Sequence, residues 1–174
     1  NNPVYIIDFV NTYTPEPIDV VIEGTKELIG RELEDGEFTF QLKNLSGSVL
    51  DTADNGAANA NNIAGFEFAP IQYTHAGIYT YTVNEVKGNL GGVTYDETVY
   101  TVVVTITDNG DGTLSSSVDY TVGNEEKTEL AFVNEYDAED LDIDGLVSIK
   151  KLISNPQGVN HNVTPEGFKF GLYD

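Results

Sequence analysis

Short apolar runs that alternate residue by residue with polar ones recur along the chain. They predict strands at Asp19–Ile29, Glu37–Leu42, Gly47–Asp51, Gly65–Ala69, Gly77–Glu85, Gly92–Thr107, Thr113–Val122 and Lys127–Tyr136. Val, Ile, Thr, Tyr and Phe fill these runs, and Gly, Asn and Asp clusters separate them, which is the pattern of an all-β protein. The stretch Asp108-Asn-Gly-Asp-Gly112 between two alternating runs is the strongest hairpin signal. Helical periodicity is nearly absent, and short strands joined by tight turns predict a β-sandwich. The segment Asp54–Asn62 is Asn, Ala and Gly almost throughout, and a mobile loop is expected there.

Three rows break the apolar rule. Side chains in a strand alternate strictly between faces. Val20, Ile22, Gly24, Lys26 and Leu28 therefore share one face, against Asp19, Val21, Glu23, Thr25 and Glu27. Leu130, Phe132, Asn134 and Tyr136 share another, and Tyr79, Tyr81, Val83 and Glu85 a third. Lys26, Glu85 and Asn134 thus each project toward a core. A buried charge is costly unless partnered, so the three are expected to meet. From pattern alone the commoner outcome is a buried Lys–Glu ion pair with Asn as a bystander. Glu97, in a row with Tyr95, Val99 and Val103, is an alternative acidic member.

The chain also repeats itself. Phe9-Val-Asn-Thr-Tyr13 matches Phe132-Val-Asn-Glu-Tyr136, and Ile22-Glu-Gly-Thr-Lys26 matches Val147-Ser-Ile-Lys-Lys151 at nearly the same offset. Glu37–Leu42 answers Gly167–Leu172. Motifs recurring at one period indicate tandem copies. Residues 1–13 read as the last strand of a preceding copy and 14–137 as a complete one. Residues 138–144 read as an acidic linker and 145–174 as the opening strands of a following copy. Asn11 and Lys151 would be the neighbouring-copy equivalents of Asn134 and Lys26, and each fragment alone is expected to stay unlinked.

Charge narrows the partners. With 29 acidic and 8 basic residues among 174, the net charge of −21 disfavours nucleic acid and anionic membrane surfaces. No apolar run approaches the ~20 residues of a membrane span. No signal peptide is recognisable, so an interior piece of a longer protein is expected. The chain has no cysteine, so disulfides cannot staple it. An apolar content of 40% fits a globular fold rather than disorder.

Five ordered motifs carry a resemblance. They are Gly24-Thr-Lys26-Glu-Leu28-Ile-Gly30-Arg31, Gly36-Glu-Phe38-Thr-Phe40, Gly77-Ile-Tyr79-Thr-Tyr81-Thr-Val83-Asn-Glu85, Gly92-Val-Thr-Tyr95-Asp96 and Phe132-Val-Asn134-Glu-Tyr136. In this order they resemble the streptococcal pilin isopeptide-linkage domain over about Val20–Tyr136. The resemblance implies an immunoglobulin-like sandwich of the collagen-adhesin B type with a spontaneous Lys–Asn amide promoted by a buried Glu. By motif position the bond falls on Lys26 and Asn134, and the promoting role on Glu85. It further implies a structural stalk or backbone module of a Gram-positive surface protein or pilus, extracellular and attached to the cell wall. Its partners would be neighbouring repeats, with a host ligand reached through another domain.

The chemistry suits these residue types. Desolvation favours a neutral, nucleophilic amine and a neutral acid. The Asn carboxamide carbon is the electrophile. A protonated Glu is expected to hydrogen-bond the carboxamide oxygen and to pass protons to the departing ammonia.

Other candidates carry less. Asp140-Leu-Asp142-Ile-Asp144-Gly145 opens like a Ca²⁺ loop, but its twelfth position is Lys151 rather than a bidentate acid. His75 and His161 are isolated, and Asn44-Leu-Ser46 and Asn162-Val-Thr164 match a glycosylation sequon that arises often by chance. No phosphate loop, nucleophile elbow or metal-ligand cluster appears, so no cofactor or metal is expected. An adhesin domain gripping a host glycan or protein through its loops is the alternative function, though Asp54–Asn62 carries no aromatic residue. A turnover enzyme is disfavoured, because the cross-linking chemistry consumes its own groups.

Overall fold

A computed structural model of the chain describes residues 9–138. The chain divides between Glu139 and Asp140, and all described residues lie in the first unit. Twelve strands are present among the described residues: β1 (Ile18–Val20), β2 (Glu23–Ile29), β3 (Thr39–Asn44), β4 (Val49–Asp54), β5 (Ile63–Glu67), β6 (Ile71–Tyr73), β7 (Gly77–Glu85), β8 (Val93–Thr94), β9 (Val99–Asp108), β10 (Leu114–Val122), β11 (Glu125–Lys127) and β12 (Leu130–Tyr136). One sheet runs β11-β10-β9-β7-β3-β4 and the other β5-β2-β12-β8, while β1 and β6 form a separate ribbon. No helix among the described residues is long and apolar enough to cross a membrane.

The core lies between the two larger sheets and follows the alternation of the strands. Phe40 and Leu42 of β3, Val83 of β7 and Val102, Val104 and Ile106 of β9 face Leu28 of β2, Phe66 of β5 and Leu130 and Phe132 of β12. The Phe40 ring stacks on Phe66 at 3.8 Å between centroids and lies 5.1 Å from Phe132, so aromatic contacts span the sheets. β2 and β12 run parallel, with Lys26 beside Phe132 and Leu28 beside Asn134. Gly24 makes room for this packing, since a Cβ there would sit 2.5 Å from the Phe66 ring and 2.7 Å from Leu130. At the other end of β2, Gly30 takes φ +101°, where a Cβ would meet the Tyr136 carbonyl oxygen.

The predicted β-sandwich is present, and β7 occupies its predicted bounds. Three predicted strands are each two strands. Asp19–Ile29 divides after Val20 because β1 pairs with β6, whereas β2 pairs with β5 and β12. Lys127–Tyr136 divides because β11 pairs with β10 in one sheet and β12 lies in the other. Gly92–Thr107 divides after Thr94, where the side chain of Asp96 takes the Val133 amide that a continuing β8 would have used. Alternation marks faces but is silent about such changes of partner. The three-residue β6, just after Pro70, is too short for a periodic signal.

The Asp54–Asn62 segment is stitched to its surroundings rather than free-standing. The buried Asn55 accepts from the Phe38 amide and donates to the carbonyls of Glu34 and Gly56. Asn62 accepts from the Leu33 amide and donates to the carbonyls of Leu28 and Arg31. These two asparagines are structural staples, a role that composition hides.

Candidate functional site

The three polar residues that broke the apolar rows meet inside the sandwich. Lys26 and Asn134, on the adjacent parallel strands β2 and β12, are both fully buried. Glu85, at the end of β7 in the opposite sheet, is 5% exposed. Lys26 Nζ lies 2.5 Å from Glu85 Oε2, and Asn134 Nδ2 donates to Glu85 Oε1 at 2.6 Å. The carboxyl group therefore bridges the amine and the carboxamide with one oxygen for each.

Burial dominates the electrostatics. Desolvation lowers the Lys26 amine below the usual lysine value, opposed by the attraction of Glu85. Desolvation likewise raises the Glu85 carboxyl above the usual range, opposed by hydrogen bonds from Lys26 and Asn134. Both directions favour the neutral pair, in which the proton has passed from Nζ to the carboxyl group. The Phe38 ring centroid lies 4.6 Å from Nζ and closes that side of the amine with apolar surface. Phe38 is in turn covered edge-on by Tyr95 at 5.8 Å.

The carboxamide oxygen is held differently from the sequence-based expectation. Asn134 Oδ1 accepts from the backbone amide of Asp96 at 2.7 Å. A backbone N–H can only donate, so the oxygen must face Asp96 and the nitrogen must face Glu85. Glu85 therefore holds the carboxamide nitrogen, and the oxygen is left to Asp96. Alternation could not reveal Asp96, because its part is played by a main-chain group just beyond the end of β8.

Glu97, the alternative acid, is not in the site. Its side chain is 72% exposed and pairs with Lys87 at 2.5 Å on the surface. The row through Glu97 crosses the break between β8 and β9, so alternation does not carry across it: Tyr95 packs on Phe38, whereas Val99 is exposed and Tyr100, Val102 and Val104 form the core face of β9. Valines on both faces of β9 make its period ambiguous from sequence. Asn11 is exposed and outside any strand. His75 is exposed, its Nδ1 within 2.7 Å of the Thr74 hydroxyl. Asn44 caps the β3–β4 turn by accepting from the amides of Ser46 and Ser48. Lys151, His161, Asn162 and the Asp140–Gly145 segment lie outside the described residues.

A family profile for FctA, described as a Spy0128-like isopeptide containing domain, matches residues 22–137. The chain belongs to the FctA family. No curated protein matches it significantly. Among solved structures, the FctA chain is similar to the major pilin from Streptococcus pyogenes, with a TM-score of 0.53 and 22% identity. A mutant of that pilin matches with a TM-score of 0.52 and 19% identity. Each match covers 67% of this chain and 50% of the pilin chain, so the chain spans half the length of the pilin it matches. At these identities the likeness establishes the fold, an all-β immunoglobulin-like sandwich.

Proposed function

We propose that this FctA domain is a structural backbone module of a cell-surface pilus or adhesin, locked by a self-formed amide between Lys26 and Asn134. The observation that carries the proposal is the closed relay of three buried groups, with Glu85 bridging Nζ and Nδ2 at 2.5 and 2.6 Å. Neutral Nζ attacks Cγ of Asn134. The Nζ–Cγ bond forms, the Cγ–Nδ2 bond breaks, and a proton leaves Nζ for Glu85 Oε2. The protonated carboxyl group gives a proton to Nδ2 as it takes the one from Nζ, ammonia departs, and Glu85 ends neutral, as it began. Fixed placement in a rigid core supplies on the order of 7–11 kcal/mol of the barrier. The product is an uncharged amide, better suited to the core than an ion pair. The groups react once, so the domain is not a turnover enzyme.

The same proposal places the domain outside the cell among tandem copies of itself, with residues 1–13 and 145–174 belonging to neighbours. The FctA profile and the S. pyogenes pilin fold support that setting, as does the repeat of the Phe9–Tyr13 motif at Phe132–Tyr136.

Replacing the bridging acid tests the relay. Glu85→Ala is expected to give a protein at its full sequence mass, and Glu97→Ala one lighter than its sequence mass by one ammonia. Intact-mass spectrometry reads both, and an ammonia loss in Glu85→Ala would remove Glu85 from the mechanism.

A further inference from the structure

We infer that Asp96 is a positioning residue for this cross-link, its backbone amide forming the oxyanion site for the Asn134 carboxamide; the inference rests on the amide-forming reading above. As Nζ adds to Cγ, negative charge develops on Oδ1, and the group that meets it is the Asp96 N–H at 2.7 Å. A preorganised donor aimed at developing charge in a dry core is among the strongest ways to lower such a barrier. Glu85 cannot serve here, because its two oxygens are already committed to Nζ and Nδ2.

The Asp96 side chain holds that N–H in place. Continuing the β8–β12 register two residues beyond the Thr94–Glu135 pair sets Asp96 opposite Val133. There the carboxylate replaces the main chain: Oδ2 accepts from the Val133 amide at 2.9 Å, and Oδ1 accepts from the Thr98 amide at 2.8 Å. The first bond ties Asp96 to the residue immediately before Asn134. The second bends its own backbone into an Asx turn. Together they free the Asp96 N–H from the ladder and direct it at Oδ1. Asp96 also closes the motif Gly92-Val-Thr-Tyr95-Asp96, to which the triad chemistry alone assigns no task.

The test is a time course of intact mass on the full chain made by cell-free synthesis, comparing wild type with Asp96→Ala and Asp96→Asn. Wild type is expected to lose one ammonia rapidly. Asp96→Ala is expected to do so at least about tenfold more slowly, since loss of an oxyanion donor costs about 10²–10³ and here the donor is loosened rather than deleted. Asp96→Asn, which keeps one acceptor oxygen, is expected to fall between them. Positioning is separated from general loosening in a Lys26→Met background, which cannot cross-link and fills the lysine's space with an apolar chain. There Asp96→Ala is expected to abolish hydrogen-exchange protection at the residue-96 amide while leaving Leu130 and Phe132 protected. A wild-type rate for Asp96→Ala overturns the assignment, as does slowing accompanied by lost protection along β12. A wild-type chain that stays at full mass overturns both this inference and the cross-link itself.

Discussion

Pulled from its two ends, the wild-type domain is expected never to release the segment between Lys26 and Asn134, whereas Asn134→Ala should release all of it. The segment 27–133 holds 107 residues, and at about 3.5 Å per residue its contour is about 370 Å. Single-molecule force spectroscopy should therefore record an unfolding step in Asn134→Ala that is longer than any wild-type step by about that length. The geometry explains why. Tension enters at the start of β2 and leaves at the end of β12, and these strands lie side by side and parallel. Without a bond the load falls on their hydrogen bonds in shear. With it the load passes from Lys26 directly to Asn134 and bypasses the sandwich. A full-length step in the wild type would contradict the tie.

Thermal stability should respond almost as strongly. Asn134→Ala is expected to lower the melting temperature by about 20–30 °C in scanning calorimetry. Closing a loop of ~100 residues stabilises a domain by roughly 4.7 kcal/mol in the chain-entropy model. The lost hydrogen bond from the Asp96 amide to the buried Oδ1 adds about 1–3 kcal/mol. One kcal/mol moves the midpoint of a domain this size by roughly 3–5 °C. Glu97→Ala provides the contrast: removing an exposed ion pair with Lys87 should shift the midpoint by no more than a few degrees. A fall below about 5 °C for Asn134→Ala would mean that no covalent tie was lost.

Much of the fold and the core of the site were legible because alternation reports which face a side chain takes. Lys26, Glu85 and Asn134 stand out as polar members of apolar rows, and the structure brings Lys26 and Asn134 within hydrogen-bonding reach of the Glu85 carboxyl group. Alternation is ambiguous where both faces are apolar, as in β9, and it fails at residues 95–98, where the chain leaves the strand and Glu97 turns to solvent. It is also silent where a strand changes partner, which is why β1 and β2, β8 and β9, and β11 and β12 read as single strands. Asp96 was hidden for a third reason: its contribution to the site is a backbone N–H, which any residue type carries. Its side chain does leave a trace, an Asp two residues before Thr98 at the end of a short strand, which is an Asx-turn pattern. That pattern indicates a turn and not what the turn aims at.

The most direct test is to digest the denatured wild-type protein and sequence the peptides by tandem mass spectrometry. The expected result is one branched peptide in which the Lys26 side chain is joined to that of Asn134, lighter than its two parts by one ammonia. Recovery of two linear peptides at full mass, with Lys26 and Asn134 both unmodified, would contradict the cross-link and the mechanical role built on it.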